Sequence, residues 1–462
     1  MQRIIIRNFL GIKEADIRIN KVLVLIGEQA SGKSTLAKLI YFFQTLKDDI
    51  FDAVYTNDTD SDFDDDFFLK IVAKKFYEYF GFLHGWDSFD VVYYYSSGKI
   101  MCLNHNSKKG TFTKETNKEF DDLLYKTCDN AMKELSGLSS SKNSKSAYLN
   151  QAQRFKTAQK FTKKLNQIFE SKQEDYLYTI AGRNATVAYS GLFEKYLFHA
   201  LESAMEESRK QNTPRKKSQN IEEILMLDFI KKVETIKSRL LKSGGLEGIL
   251  AESDNKAVLE VAVSKIESIL KGKYIYDNGE EKIVLDTKND RYVALKNASS
   301  GQQEIIRILQ DLFLIIADKQ PVMRIIEEPE ANLFPVAQKA VIELMALMVS
   351  SVKDSQIILT THSPYILSVL NNLLFAKRVA TKNPATRLAV NAVIAENQWL
   401  DANEVSVYSL GNSYDKQADY CRNLLNPKTG TIDQNYLDSV SGMLGEEFDE
   451  LFEIHAKSYV ND

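Results

Sequence analysis

The stretch Gly27-Glu28-Gln29-Ala30-Ser31-Gly32-Lys33-Ser34-Thr35 has the spacing G-x-x-x-x-G-K-[ST]. That spacing suits phosphate chemistry. Gly27 and Gly32 let the backbone wrap closely around phosphate oxygens, with amide N–H groups turned inward. A helix starting at the same place adds the positive end of its dipole. Lys33 can reach the β- and γ-phosphates of a nucleotide, the Ser34 hydroxyl can ligate Mg2+, and Thr35 completes the motif. A Gly/Ser turn with an exposed lysine is the plain alternative. It leaves unexplained the unbroken apolar run at residues 22–26 that feeds the turn.

Three later clusters supply other parts that phosphate transfer requires. Ser299-Ser300-Gly301-Gln302 opens a helical pattern, and small residues at a helix start offer N–H groups and hydroxyls to an anion. Taken alone, this could be a simple N-cap. Glu327-Glu328 follows the apolar run at 323–326. At a strand end the backbone turns, so one carboxylate can join a metal shell while the next polarises water. His362 follows another apolar run, 356–361, where a histidine can sense a γ-phosphate. In this order the clusters form a consistent set.

These residues need strands that end where they begin. Residues 22–26 read as a buried strand, followed by a helix with Leu36, Leu39 and Ile40 on one face. Before it lie two short strands, 3–6 and 15–19, with a turn at Gly11. Residues 90–95 and 99–103 read as a β-hairpin, as do 273–276 and 283–285. From about Thr113 to Leu241 the pattern turns helical and charged, with a further helix at 192–205. Inside that region, 176–180 is strand-like and ends in Ala181-Gly182-Arg183-Asn184, where a guanidinium could sit near a phosphate. Near the chain end, Leu437, Val440, Leu444, Phe448 and Leu451 share one helical face.

Composition narrows the class. The 462 residues carry a net charge of -4 and are 44% hydrophobic, which argues against binding nucleic acid through bulk charge. The cysteines Cys102, Cys128 and Cys421 are scattered and read as reduced thiols of a cytoplasmic protein. No leader and no membrane-length apolar run is expected. Residues 58–66 alternate carboxylates, yet Phe63 stands where a calcium loop needs glycine and Leu69 where it needs glutamate. Asn104-His105-Asn106 reads as a polar turn. The basic stretch 209–217 reads as a solvated loop, with nucleic acid or an acidic partner as the alternative.

The chain resembles the ABC-type ATPase superfamily, in the branch holding SMC, RecF and OLD-like proteins. Residues 27–34 match the Walker A loop, Ala298-Ser299-Ser300-Gly301-Gln302 the signature, and Ile325-Ile326-Glu327-Glu328 Walker B. Pro329-Glu330-Ala331-Asn332-Leu333 falls at the D-loop, and His362 at the switch histidine. Leu10 stands where relatives often carry arginine. The resemblance implies an α/β fold: a P-loop ATPase head, a mixed sheet with flanking helices, interrupted by a mainly helical insertion. It divides the chain into residues 1–112, 113–242 and 243–462. It implies ATP and Mg2+, with Ser34 and Glu327 as metal ligands and Glu328 and His362 as catalytic residues. It also implies two heads paired head to tail, in a homodimer or higher homo-oligomer. The insertion is too short for a long coiled coil. Because the tail lacks a TOPRIM pattern, the chain also resembles stand-alone ATPase subunits of anti-phage systems of the Septu and PARIS types. There an ATPase scaffold controls a separate nuclease, HNH-type or TOPRIM-like, in response to nucleic acid or a phage protein. A RecF/SMC-like ATPase of DNA repair or maintenance is the alternative, and a regulatory ATPase without nucleic acid is a third reading.

Overall fold

The computed structural model describes residues 2–56, 67–82, 85–138, 144–188, 221–277, 279–286, 291–411, 419–432, 445 and 447–452. The acidic stretch 58–66, the helix expected at 192–205, the basic stretch 209–217 and most of the expected terminal helix lie outside these residues.

In chain order the first elements are β1 (Gln2–Phe9), β2 (Ile12–Ile19), β3 (Val22–Gly27), α1 (Lys33–Thr56) and α2 (Phe67–Phe80). Then come β4 (Phe89–Ser96), β5 (Lys99–Asn106), β6 (Thr111–Thr116), α3 (Lys118–Ser136), α4 (Ser144–Ile168), β7 (Asp175–Thr179) and α5 (Ala185–Ala188). α6 (Ile221–Lys242), α7 (Gly245–Glu252) and α8 (Lys256–Leu270) lead to β8 (Lys273–Asp277), β9 (Glu280–Asp286) and β10 (Arg291–Ala294). The chain continues through α9 (Ser300–Asp318), β11 (Val322–Glu327), α10 (Pro335–Ser351), β12 (Gln356–Thr361), α11 (Pro364–Ala380) and α12 (Pro384–Val393). It closes with β13 (Val405–Leu410) and β14 (Cys421–Asn423).

The site is positioned by a six-stranded sheet of order β14-β13-β3-β12-β11-β7. Its strands run parallel except β14. Every residue of β3, β11, β12 and β13 is buried, as expected for central parallel strands covered on both faces. β3 shows the period of two directly. Leu23 and Leu25 enter one core with α1, while Val22, Val24 and Ile26 enter the other with α9, α10 and α11. The first core is rich in rings, with Phe9, Phe42, Phe76 and Phe89 packed mostly edge to face. The second is almost wholly aliphatic. A five-stranded antiparallel sheet, β2-β1-β4-β5-β6, closes over the first core, and a three-stranded sheet, β10-β9-β8, flanks the second.

Two elements differ from the sequence reading. Residues 111–116 form β6, in register against β5, although the helical pattern was expected from Thr113. Alternating Thr side chains on a half-exposed edge explain the preference. β7 comes from inside the stretch read as the insertion, yet it pairs with β11 as the edge strand of the large sheet. Buried Arg324 fixes that join: Nε donates to Asp311 Oδ2 on α9 at 2.6 Å and Nη2 to Asp175 Oδ2 on β7 at 2.6 Å. No described helix is long and apolar enough to cross a membrane.

Candidate active site

β3, β12, β11 and β7 lie side by side and parallel, so their C-terminal ends form one rim, the usual place for a ligand on an α/β sheet. Gly27 ends β3. A side chain there would run into the Leu410 carbonyl, and at Gly32, φ +85, a Cβ would stand 2.6 Å from Ile12 Cγ1. Ala30 also has positive φ, +60, so the loop curls twice before the first turn of α1. Lys33, Ser34 and Thr35 sit in that turn. Lys33 is buried, and its Nζ donates to Gly27 O at 2.9 Å and Glu28 O at 2.6 Å. Burial pushes this amine down to about 8, against the opposing pull of Glu328, Glu330, Glu28 and Glu327.

Glu327 ends β11 and is buried. Its Oε1 accepts from the Tyr178 hydroxyl at 2.6 Å, and its Oε2 from the Ala181 N–H at 3.1 Å. Burial, with Glu327 beside it, pushes the Tyr178 phenol up, so Tyr178 remains a donor. Glu328 is the turning residue, with φ +41. Its N–H stays bonded to Thr360 O on β12 at 2.9 Å, and its Oε1 lies 3.1 Å from His362 Nε2. The hydrogen bond from His362 holds the Glu328 carboxyl below its ordinary value; burial opposes, and Lys33 and Arg183 assist. Glu330 accepts from Thr361 Oγ1 at 2.6 Å and from His362 N–H at 2.8 Å, while its other oxygen is buried without a hydrogen-bond partner.

Ser299 caps α9. Its hydroxyl oxygen accepts from the Gln302 N–H, and Gln302 Oε1 in turn accepts from the Ser299 N–H at 3.0 Å. Gln302 also reaches Leu270 O at 2.6 Å. Ser299, Ser300 and Gln302 are not buried, and Gly301 lies so close to the Asn332 carbonyl that no side chain would fit. The helix start therefore packs on the loop that follows Glu328.

Sequence reasoning missed two residues at this rim. Tyr178 was read only as part of an apolar strand. Tyr420 donates to Ser31 O at 2.7 Å and Gly11 O at 3.1 Å, tying the chain's far end to the phosphate loop, and no sequence signal marked it. His105 is buried, with Nδ1 3.2 Å from Asp87 O, and Asn104-His105-Asn106 is not the expected polar turn: it is the end of β5, paired with β4 and β6.

The model of the AAA ATPase domain family matches residues 1–367. This chain belongs to that family. It is an ATPase, and mixed α/β sheets with flanking helices and a helical insertion make up its ATPase head. No curated protein matches. Among solved structures, similarity extends to an SMC head bound to the C-winged helix domain of ScpA, at 11% identity and TM-score 0.37, covering 79% of this chain and 91% of that one. It extends to the SMC head domain from Thermotoga maritima, at 10% and 0.34, covering 79% and 90%. It also extends to the recombination mediator RecF, at 11% and 0.27, covering 78% and 92%.

The residues present fit ATP with Mg2+. Both glycines of the loop are forced by close approach, and a buried lysine sits against carbonyls that phosphate oxygens would replace as its partners. Among the described residues no group of three or more His, Cys, Asp or Glu could hold a metal by itself. Mg2+ at such sites takes one or two protein ligands and completes its shell from phosphates and water, and the buried Glu327 carboxylate at this rim is a ligand of the kind it takes.

Proposed function

We propose that this ATPase head pairs head to tail with a second copy over bound ATP and acts on DNA in repair or maintenance. The observation that carries the ATP chemistry is the meeting of Glu327, Glu328, His362 and the phosphate loop at the ends of three neighbouring parallel strands. In this reading Lys33 and the loop amides hold the β- and γ-phosphates. Ser34 and Glu327 hold Mg2+, which when bound offsets phosphate charge. Glu328, ionised at neutral pH, orients a water and accepts its proton, while His362 steadies Glu328 and reports the γ-phosphate. Ser299, Ser300, Gly301 and Gln302 of the second head cover the nucleotide. ATP then closes the pair and hydrolysis reopens it.

The DNA part is supported by α4, which carries Lys145, Arg154, Lys156, Lys160, Lys163 and Lys164 and no acidic residue. Lys156, Lys163 and Lys164 are exposed. Replacing these three with alanine should weaken duplex binding at every sequence and reduce the salt slope by about 3. DNA binding and DNA-stimulated hydrolysis unchanged in the triple variant would remove α4 from the reading.

A second reading has one observation in its favour. α12 buries no side chain, and Ala385, Leu388, Ala389, Ala392 and Val393 form one exposed apolar face, suited to a protein partner. In that reading the ATPase is a scaffold for a separate nuclease, HNH-type or TOPRIM-like, in anti-phage defence. A nuclease polypeptide that co-purifies from the native host at fixed stoichiometry, weighed intact by mass spectrometry, would favour it. DNA-stimulated, salt-sensitive ATP hydrolysis by the chain alone would favour the first.

A further inference from the structure

The loop after β7 holds a buried arginine whose partners are unusual. Arg183 is fully buried, and its guanidinium donates to four backbone carbonyls. Nη1 reaches Glu327 O at 2.8 Å and Ile180 O at 3.1 Å; Nη2 reaches Glu328 O at 3.0 Å; Nε reaches Glu304 O at 3.1 Å. Its charge is met by the buried Glu304 carboxylate, 3.5 Å from Nη1. That carboxylate also accepts the N–H groups of Gly182 at 3.2 Å and Asn184 at 2.9 Å. Glu304 lies on the first turns of α9, just beyond the exposed hydroxyls of Ser299 and Ser300.

A buried ion pair with a purely structural role would look like Arg324, which binds two carboxylates away from the rim. Arg183 instead grips the main chain of both rim carboxylates. Glu328 has left-handed backbone geometry, which is unfavourable for a non-glycine residue and persists only where the surroundings hold it. The Arg183 bond to the Glu328 carbonyl is one such restraint. Its counterion is borne on the helix whose start would face the other head.

We propose that Arg183 is a positioning residue: it links the start of α9 to the backbone of Glu328, so that closure of a second head on Ser299 and Ser300 sets Glu328 for hydrolysis in the same head. This rests on the head-to-tail pairing proposed above. In such a pair, the α9 start of one head covers the other head's nucleotide. The link therefore couples the two ATP sites.

The test uses the full chain with Arg183→Lys, which keeps the charge but not the four-way fork, and Glu304→Gln, which keeps an acceptor but not the charge. Affinity for ATP with Mg2+ should stay within about twofold, since neither residue touches the phosphate loop. kcat should fall by about 10-fold or more in Arg183→Lys, and the Hill coefficient for ATP should drop from near 2 toward 1. The two changes should be non-additive in a double-mutant cycle. A structural defect alone would lower the melting temperature and affinity together, without this split. If Arg183→Lys does not fold, Glu304→Gln decides by the same readouts. Pairing is followed separately, by light scattering of the Glu328→Gln variant with ATP. If that variant pairs, while Arg183→Lys and Glu304→Gln hydrolyse ATP at the wild-type rate and cooperativity, the link is wrong and the pairing stands. If it stays monomeric at saturating ATP, the pairing reading fails and the cross-head link falls with it.

Discussion

The phosphate loop and the loop after β7 lie on the same rim, but they are built in opposite ways. The phosphate loop is local: its glycines, Lys33 and Ser34 come from one short run, and Lys33 donates within that run. The loop after β7 is made by distance. Arg183 and Ala181 bond to residues more than a hundred positions away, at Glu304, Glu327 and Glu328. Where a ligand must be wrapped by backbone, only a few residue types fit, and the spacing is visible in the chain. Where catalytic groups must be steadied, ordinary residues suffice and the fold supplies the arrangement.

The sharpest break between the two regions should come from the local one. Lys33→Ala should abolish measurable ATP binding, a loss of at least ~100-fold, because the phosphates lose a desolvated charge. Titration with a fluorescent nucleotide checks this, and retained tight binding would overturn the assignment of the loop. A distant support should behave differently. Asp311→Ala leaves Arg324 buried with half its charge partners gone and should destabilise the chain by about 3–5 kcal/mol in urea unfolding. A loss below about 1 kcal/mol would mean that α9 is not held to the sheet through Arg324.

A smaller effect concerns pH. Lys33 sits near 8 in the absence of phosphate, and bound phosphate would raise it. Affinity for ATP should therefore be level below about pH 8 and fall up to ~10-fold per unit above it, since the deprotonated amine must regain a proton on binding. Calorimetry in buffers of different ionisation heat should show proton uptake near pH 9. A flat profile from pH 7 to 9.5 would show that the lysine charge is not lost in the free head.

The same contrast explains what could be read in advance. β3, β11 and β12 were legible because each is a largely apolar run, unbroken in β3 and interrupted in β11 only by Arg324, that leads into polar chemistry. The start of the α1 stripe was visible at Leu36, Leu39 and Ile40; the structure extends it through Leu46, Ile50 and Val54 to Thr56. β6 was hidden because a short Thr-rich edge strand carries little apolar signal beside a helix. β7 read as a strand, but its place beside β11 depends on Arg324 and Asp175, which no local pattern pairs. Tyr420 bonds across nearly the whole chain to Ser31, so its role appears only once β13 and β14 have folded beside β3.

We propose Glu328, held at a left-handed turn by its neighbours and by His362, as the base for ATP hydrolysis. Glu328→Gln keeps the shape and removes the charge. Single-turnover hydrolysis with radiolabelled ATP, alongside nucleotide binding, tests it most directly. Binding should stay within about twofold of wild type, and hydrolysis should slow at least ~100-fold. Near-normal turnover with intact binding would place the base elsewhere.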